Sequence, residues 1–328
     1  MNQYLKSFST EAQINILFAL LFGFLTILTL VLLYIDYRKE YKNKNNLFFI
    51  PNTFWPLIRQ SWVMAIMFWL SWILGHIGAT ILFGLVSFIV LREFISASST
   101  HRGDHYSLFI TFFLICPLQF WLSYAKYFNF FSILIPVYVF FTLPVVSAFS
   151  NNKIKFLERN SQIQWGIMVC VYGLSHVPAI YMLNFPNYQN KNAFLVFFLI
   201  ATVQSALIFQ FIYKKYLYRI NRLENTLYSR MRPGLFSVLT CAIGCGLMAG
   251  LTPFKPGQAF AIGLVTAVLS LLGQFLIKII QSQNGLPQWQ GSVTATTGTT
   301  GYFTKLGALC FAAPLFFHSV RWYFDLTI

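Results

Sequence analysis

Long apolar runs broken by short polar, basic stretches organise this chain. Ile14 to Ile35 is the first run, and comparable ones recur to the C-terminus. Several reach the roughly 20 residues that a helix needs to cross a bilayer. The pattern predicts helices near 14–35, 61–75, 77–95, 107–124, 129–148, 162–183, 193–213, 235–252, 257–280 and 306–320. Leu47 to Leu57 is also apolar but holds Pro51 and Pro56, so it reads as interfacial or re-entrant. No strand-like alternation is visible, which argues against a β-barrel. The expected fold is therefore all-α, a polytopic integral membrane protein of about ten transmembrane helices.

Charge sharpens this map. Ten crossings put Arg38, Lys39, Lys42, Lys44, Arg59, Arg92, Arg102, Lys153, Lys155, Arg159, Lys214, Lys215, Arg219, Arg222, Arg230, Arg232, Lys278 and Lys305 on one side. The other side receives only Lys6, Lys126, Lys191, Lys255 and Arg321. The positive-inside rule makes the first side cytoplasmic and leaves both termini outside. The net charge of +15 then reflects topology and anionic lipid headgroups rather than nucleic acid, which is not an expected partner. Only 9% of residues are charged, against roughly 25% in a soluble domain. The first run is too long for a signal-peptide core and no small-residue cleavage site follows it, so it reads as a retained helix.

Acidic residues are few enough to name: Glu11, Asp36, Glu40, Glu93, Asp104, Glu158, Glu224 and Asp325. None lies between Glu224 and Asp325, so that span has no carboxylate for a Mg²⁺ ion, which usually takes one or two. Cys241 and Cys245 share a helix face, but without further ligands nearby the five cysteines read as buried small hydrophobes and no metal site is assigned.

Polar chemistry gathers in three places. Leu91 to His105, LREFISASSTHRGDH, carries Glu93, His101, Arg102, Asp104 and His105 at a cytoplasmic membrane face. It reads either as a solvated helix end with Glu93 paired to an arginine, or as a headgroup clamp. In the clamp, Arg102 is a fork donor and a histidine moves a proton. His176, in SHVP, is an ionisable group within a span: a functional candidate, or a neutral histidine bonded to a neighbouring helix. Glu158 and Arg159, in FLERNSQIQWG, read as interfacial anchors. The basic stretch Lys214 to Gly234 either lies on anionic lipid or binds phosphate through Arg230 and Arg232.

Taken together and in order, these segments resemble the phosphatidate cytidylyltransferases (CDP-diacylglycerol synthases), in the bacterial branch with LREF and RGDH. The likeness runs from about Ser61 to Trp322. It includes PLQFWL at 117–122, FSILIPVY at 131–138, Phe156 to Ala179 and Leu309 to His318. On this reading residues 1–60 hold the first transmembrane helix and a basic linker, and 61–328 form the cytidylyltransferase-like domain. The resemblance implies a homodimer whose polar funnel opens to the cytoplasm of a bacterial inner membrane. There CTP and phosphatidate would become CDP-diacylglycerol and pyrophosphate, with Mg²⁺.

The departures fall on the residues that would do this chemistry. The acid of the Gln-Leu-Ser-Asp motif is Leu207. Over Leu227 to Gly234, Arg230 replaces a lysine and Pro233 a glutamate, beside Ser229. A Lys-Asp pair is Gln290-Gly291. In the Gly-His-Gly-Gly-x-x-Asp-Arg-x-Asp signature, Gly298 and Gly301 persist and Lys305 replaces the arginine, but Thr304 and Gly307 replace both aspartates. Mg²⁺ is thus a family cofactor whose ligands are missing here. The leading expectation is a pseudoenzyme of this nucleotidyltransferase family. It would bind an anionic phospholipid such as phosphatidate, or CTP, through Arg102, Ser229, Arg230, Arg232, Gly298, Gly301 and Lys305. Glu93, His101, Asp104 and His105 are the remaining candidates for catalysis. An active CDP-lipid transferase with a rearranged site, and a lipid transporter on the same scaffold, are the alternatives.

Overall fold

The computed structural model describes residues 9–41, 54–98, 102–149, 154–185, 188, 191–220, 227–283 and 301–324. Among them there is no strand. Ten long helices follow one another: α1 (Thr10–Tyr41), α2 (Phe54–Ile73), α3 (Gly75–Ala97), α4 (His105–Tyr124), α5 (Phe128–Ala148), α6 (Phe156–Tyr181), α7 (Asn192–Ile220), α8 (Leu227–Leu247), α9 (Pro256–Gln283) and α10 (Tyr302–Tyr323). Nine segments within them, all but α2, are both long and apolar enough to span a membrane; the apolar part of α2, Leu57–Ile73, is shorter. The all-α polytopic expectation holds, with changed boundaries. Phe54 to Leu57, expected in an interfacial stretch, forms the first turn of α2, while 47–53 lies outside the described residues. α6 starts at Phe156 rather than 162: in its polar first turns Arg159, Asn160 and Ile163 are buried, while Leu157, Glu158 and Ser161 stay exposed.

The chain divides into two compact units, Met1–Ile73 and Leu74–Ile328. In the first, α1 meets α2 through stacked and edge-on rings, with Phe18 on Phe68 at 4.7 Å and Phe22 on Trp62 at 5.9 Å. Trp62 Nε1–H also donates to Thr29 Oγ1 at 3.1 Å. The second unit is a bundle in which α6 and α10 are the most enclosed helices. All nine residues from Gly173 to Tyr181 are buried. Lipid tails are as apolar as leucine, so such a bundle is held by close packing and interhelical hydrogen bonds.

Three consecutive spans widen into π-helical turns: Thr111–Ile115 in α4, Leu134–Val139 in α5 and Ile167–Tyr172 in α6. Pro117 just after the first and Pro136 within the second explain two of them, since proline lacks an N–H and crowds the preceding turn. The third holds no proline and lies between Gly166 and Gly173. Aromatic side chains gather at the ends of the spans. Tyr106 is exposed at the start of α4, and Trp121, Tyr124, Tyr127, Trp322 and Tyr323 are exposed at the opposite end, the placement of membrane-interface belts.

Candidate functional site at the basic-loop end

The LREF segment ends α3, and its glutamate reaches another helix. Glu93 Oε1 accepts the Gly301 N–H at 2.8 Å, and Oε2 accepts those of Tyr302 at 2.9 Å and Phe303 at 3.3 Å. The first amides of a helix have no partner within it, and its N-terminus favours negative charge. Glu93 therefore caps α10 from 208 residues away in sequence. Gly301 makes this approach possible: its φ of +75° is a left-handed conformation that costs glycine little. Phe94, next along α3, packs its ring 5.2 Å from that of Phe303, so the cap sits beside an aromatic contact. The carboxylate is 7% exposed, in contrast to the solvated helix end that was one reading of this segment.

The RGDH segment forms a short 3-10 turn, Arg102–Asp104, leading into α4. Asp104 is fully buried and faces Arg159 of α6, with Nε 3.2 Å from Oδ1. Arg159 is 2% exposed. The expectation that it anchors an interface is therefore corrected: its charge is neutralised within the bundle, which lets this side chain be buried in the first turn of α6. Glu158, on the other face, stays exposed and pairs with Lys155 at 3.2 Å. His105 is exposed at the start of α4.

α10 carries the glycine-bearing signature into the bundle. A Cβ on Gly307 would lie 1.6 Å from Cδ1 of Ile277 on α9. Ile277 is fully buried, so it could move aside only by repacking the α9–α10 contact. The direction in which a residue at 307 would project is filled by an apolar side chain. Thr304 is half-buried one turn earlier, and Lys305 holds its ammonium 5.0 Å from the centre of the Tyr302 ring. Leu207 on α7 is 4% exposed. Near it, Ser205 and Thr202 approach the thiols of Cys241 and Cys245 on α8 at 3.1 and 3.2 Å, so these cysteines serve helix packing. Arg232 is half-buried in the first turns of α8.

Within this unit, then, Glu93 and Gly301 come into direct contact, and Asp104 meets Arg159. His101, Gln290, Gly291 and Gly298 lie outside the described residues, as do the side chains of Arg102, Ser229 and Arg230. Among the described residues no three His, Cys, Asp or Glu side chains gather as metal ligands. Among the described residues the donor set does not fit Mg²⁺: Leu207, Thr304 and Gly307 offer no carboxylate, and both oxygens of Glu93 face backbone amides.

A model of the cytidylyltransferase family matches residues 57–321. The chain belongs to that family. The matched region spans all of the second unit's described helices but the last turn of α10 and includes both the Glu93 cap and the Gly307 contact. Among curated proteins, this family member is similar to an uncharacterized protein, YnbB, of Escherichia coli strain K12. The two are 28% identical over 244 residues, covering 73% of this chain and 78% of that protein. No solved structure matches. Arg159 is the residue whose role the sequence concealed, since its partner Asp104 lies on another helix and its neighbours Lys155 and Glu158 are exposed.

Proposed function

We propose that this member of the cytidylyltransferase family keeps an anionic-ligand site at its basic-loop end and has lost metal-assisted nucleotidyl transfer. The observation that carries the reading is the Gly307–Ile277 contact. A missing carboxylate could be supplied by a neighbour, but here the space for one is taken up by packing. Glu93, the acid in contact with the α10 loop, is engaged by three amides and supports the same reading. CTP carries several negative charges, and transfer from it depends on cations that position and neutralise them.

The basic side chains favour a phosphate-bearing ligand. Arg102, Arg230, Arg232 and Lys305 all belong to the loop side rich in Lys and Arg. We place this side in the cytoplasm of a bacterial inner membrane by the positive-inside rule. The ligand is an anionic phospholipid headgroup, phosphatidate foremost, with CTP as a second candidate, and the assembly is a homodimer. The alternative of an active, rearranged transferase would require Glu93 or Asp104 to leave its partner. For the transporter alternative, the widened turns of α4, α5 and α6 are the relevant feature, and none of these spans is interrupted.

The test is binding. Full-length protein in nanodiscs of neutral lipid doped with phosphatidate should retain phosphatidate through detergent extraction and native mass spectrometry. The double variant Arg232→Gln, Lys305→Gln should retain several-fold less. Equal retention of phosphatidate and of phosphatidylcholine by the unaltered protein contradicts the proposal.

A further inference from the structure

In the half of the bundle away from the basic loops, three buried polar atoms have no hydrogen-bond partner among the described residues: Gln119 Oε1, Ser123 Oγ and His176 Nε2. Gln119, Ser123 and His176 are all fully buried. Gln119 and His176 share neighbours, and Ser123 lies on the Gln119 face of α4. Gln119 Nε2–H₂ donates to the Phe131 carbonyl at 3.1 Å and to Ser175 Oγ at 3.3 Å. His176 follows Ser175 on α6, and its ring packs 4.6 Å from that of Phe131. Ser123 lies one turn beyond Gln119 on α4.

The existing bonds fix what the open atoms can do. His176 Nδ1 lies 2.6 Å from the Tyr172 carbonyl, which only accepts, so Nδ1 carries the proton and Nε2 presents a lone pair. Gln119 directs its amide nitrogen to two acceptors, so its Oε1 is also an unused acceptor. The rings of Tyr172, Phe317 and His318 surround His176 at 4.4, 5.2 and 5.1 Å. His318 Nε2 in turn meets the Tyr172 hydroxyl at 3.2 Å. Arg321, the nearby cation, is held by Asn129 at 2.6 Å.

Buried polar atoms are nearly always bonded, and three left open in one half of the bundle need a cause. A second observation points the same way. The π-helical turns of α4, α5 and α6 lie in the three spans that supply Gln119, Phe131 and His176, and Tyr172 is the last residue of one of them. Such turns appear frequently at functional sites. We propose that Gln119, Ser123 and His176 form a membrane-buried site for a small hydrogen-bond donor of water size. The site is separate from the phosphate end, since Arg159 and His176 are 17 residues apart on α6, roughly 25 Å along a helix. With two acceptors, a hydroxyl and no fixed cation among its ligating atoms, it rejects anions. Water and ammonium both present the required chemistry, since buried water satisfies such groups and aromatic faces attract cations.

The test needs no substitution. Ser175–His176 is the chain's one Ser-His pair, so serine labelled with carbonyl ¹³C and histidine labelled with ¹⁵N assign His176 in the full-length protein in nanodiscs. The expected result is a protonated Nδ1 and an Nε2 resonance moved upfield to the position of a bonded acceptor. Cross-relaxation to water without response to ammonium chloride identifies water as the occupant. A shift that saturates with ammonium chloride but not potassium chloride identifies ammonium. An Nε2 resonance at the unbonded position, unresponsive to both, overturns the proposal.

Discussion

Glu93 and Gln119 both reach from one span to the backbone of another, yet their surroundings differ. Glu93 places both oxygens on the first amides of α10, and beside that helix the space at Gly307 is closed by Ile277. Gln119 places its nitrogen on Phe131 and Ser175 but leaves its oxygen open, and His176, which packs on the same Phe131, leaves its Nε2 open. At the end where family chemistry would be expected, the carboxylate on the α10 amides is fully engaged, while in the opposite half Gln119 Oε1 and His176 Nε2 are open acceptors. At this end Glu93 serves as a helix cap and the position of Gly307 is closed by packing.

The comparison breaks first at Asp104–Arg159. Arg159→Ala leaves Asp104 buried without the guanidinium, and should cost about 3–5 kcal/mol, seen as a large loss of thermal stability in detergent. A cost within error would mean that the pair is solvated. Next comes Gly307→Asp, which restores the family acid. It should destabilise by about 1–3 kcal/mol through overpacking, and Gly307→Asp with Ile277→Ala should recover most of the loss. If the single variant is instead stable and gains Mg²⁺ affinity, the space at Gly307 is open after all.

Smaller effects belong to the outer half. His176→Phe removes one open acceptor and the Nδ1–H bond to the Tyr172 carbonyl while keeping an aromatic ring, and should cost about 0.5–1.5 kcal/mol in thermal unfolding. A loss as large as that of Arg159→Ala would show that His176 is as fully engaged as the other end. The smallest effect concerns Tyr188, in the loop before α7, whose hydroxyl donates to the Leu251 carbonyl. Burial raises its pKa above the ordinary value of 10.0. Its contribution is therefore intact below pH 10 and is lost as pH rises beyond that, because the unfolded phenol ionises first. Alkaline titration of stability should be flatter in Tyr188→Phe than in the unaltered protein; identical curves would remove Tyr188 from this account.

Much of the fold is legible in the sequence because hydropathy is local. The runs that became α1 and α3 to α10 announce themselves by length, and proline marks the widened turns of α4 and α5. Partners distant in sequence are less so. Glu93 looks like a surface acid because the amides it caps lie 208 residues on, and Arg159 looks like an interfacial anchor because its neighbours Glu158 and Lys155 are exposed. At Gly307 the resemblance implies a missing aspartate, but only the α9–α10 packing reveals Ile277 against that position. Gln119 is a lone polar residue in PLQFWL, and its partners Phe131 and Ser175 lie on other spans. A hydrogen-bonding side chain inside a span was the overlooked signal.

The central claim is that anionic-ligand binding persists without metal-assisted transfer. It is tested most directly by incubating purified full-length protein with CTP, phosphatidate and Mg²⁺ while following CDP-diacylglycerol and pyrophosphate together. The account predicts no formation of either above a protein-free control, in a preparation that still retains phosphatidate. Mg²⁺-dependent formation of both products in equal amounts, at the rate of a family member with its carboxylates intact, would contradict it.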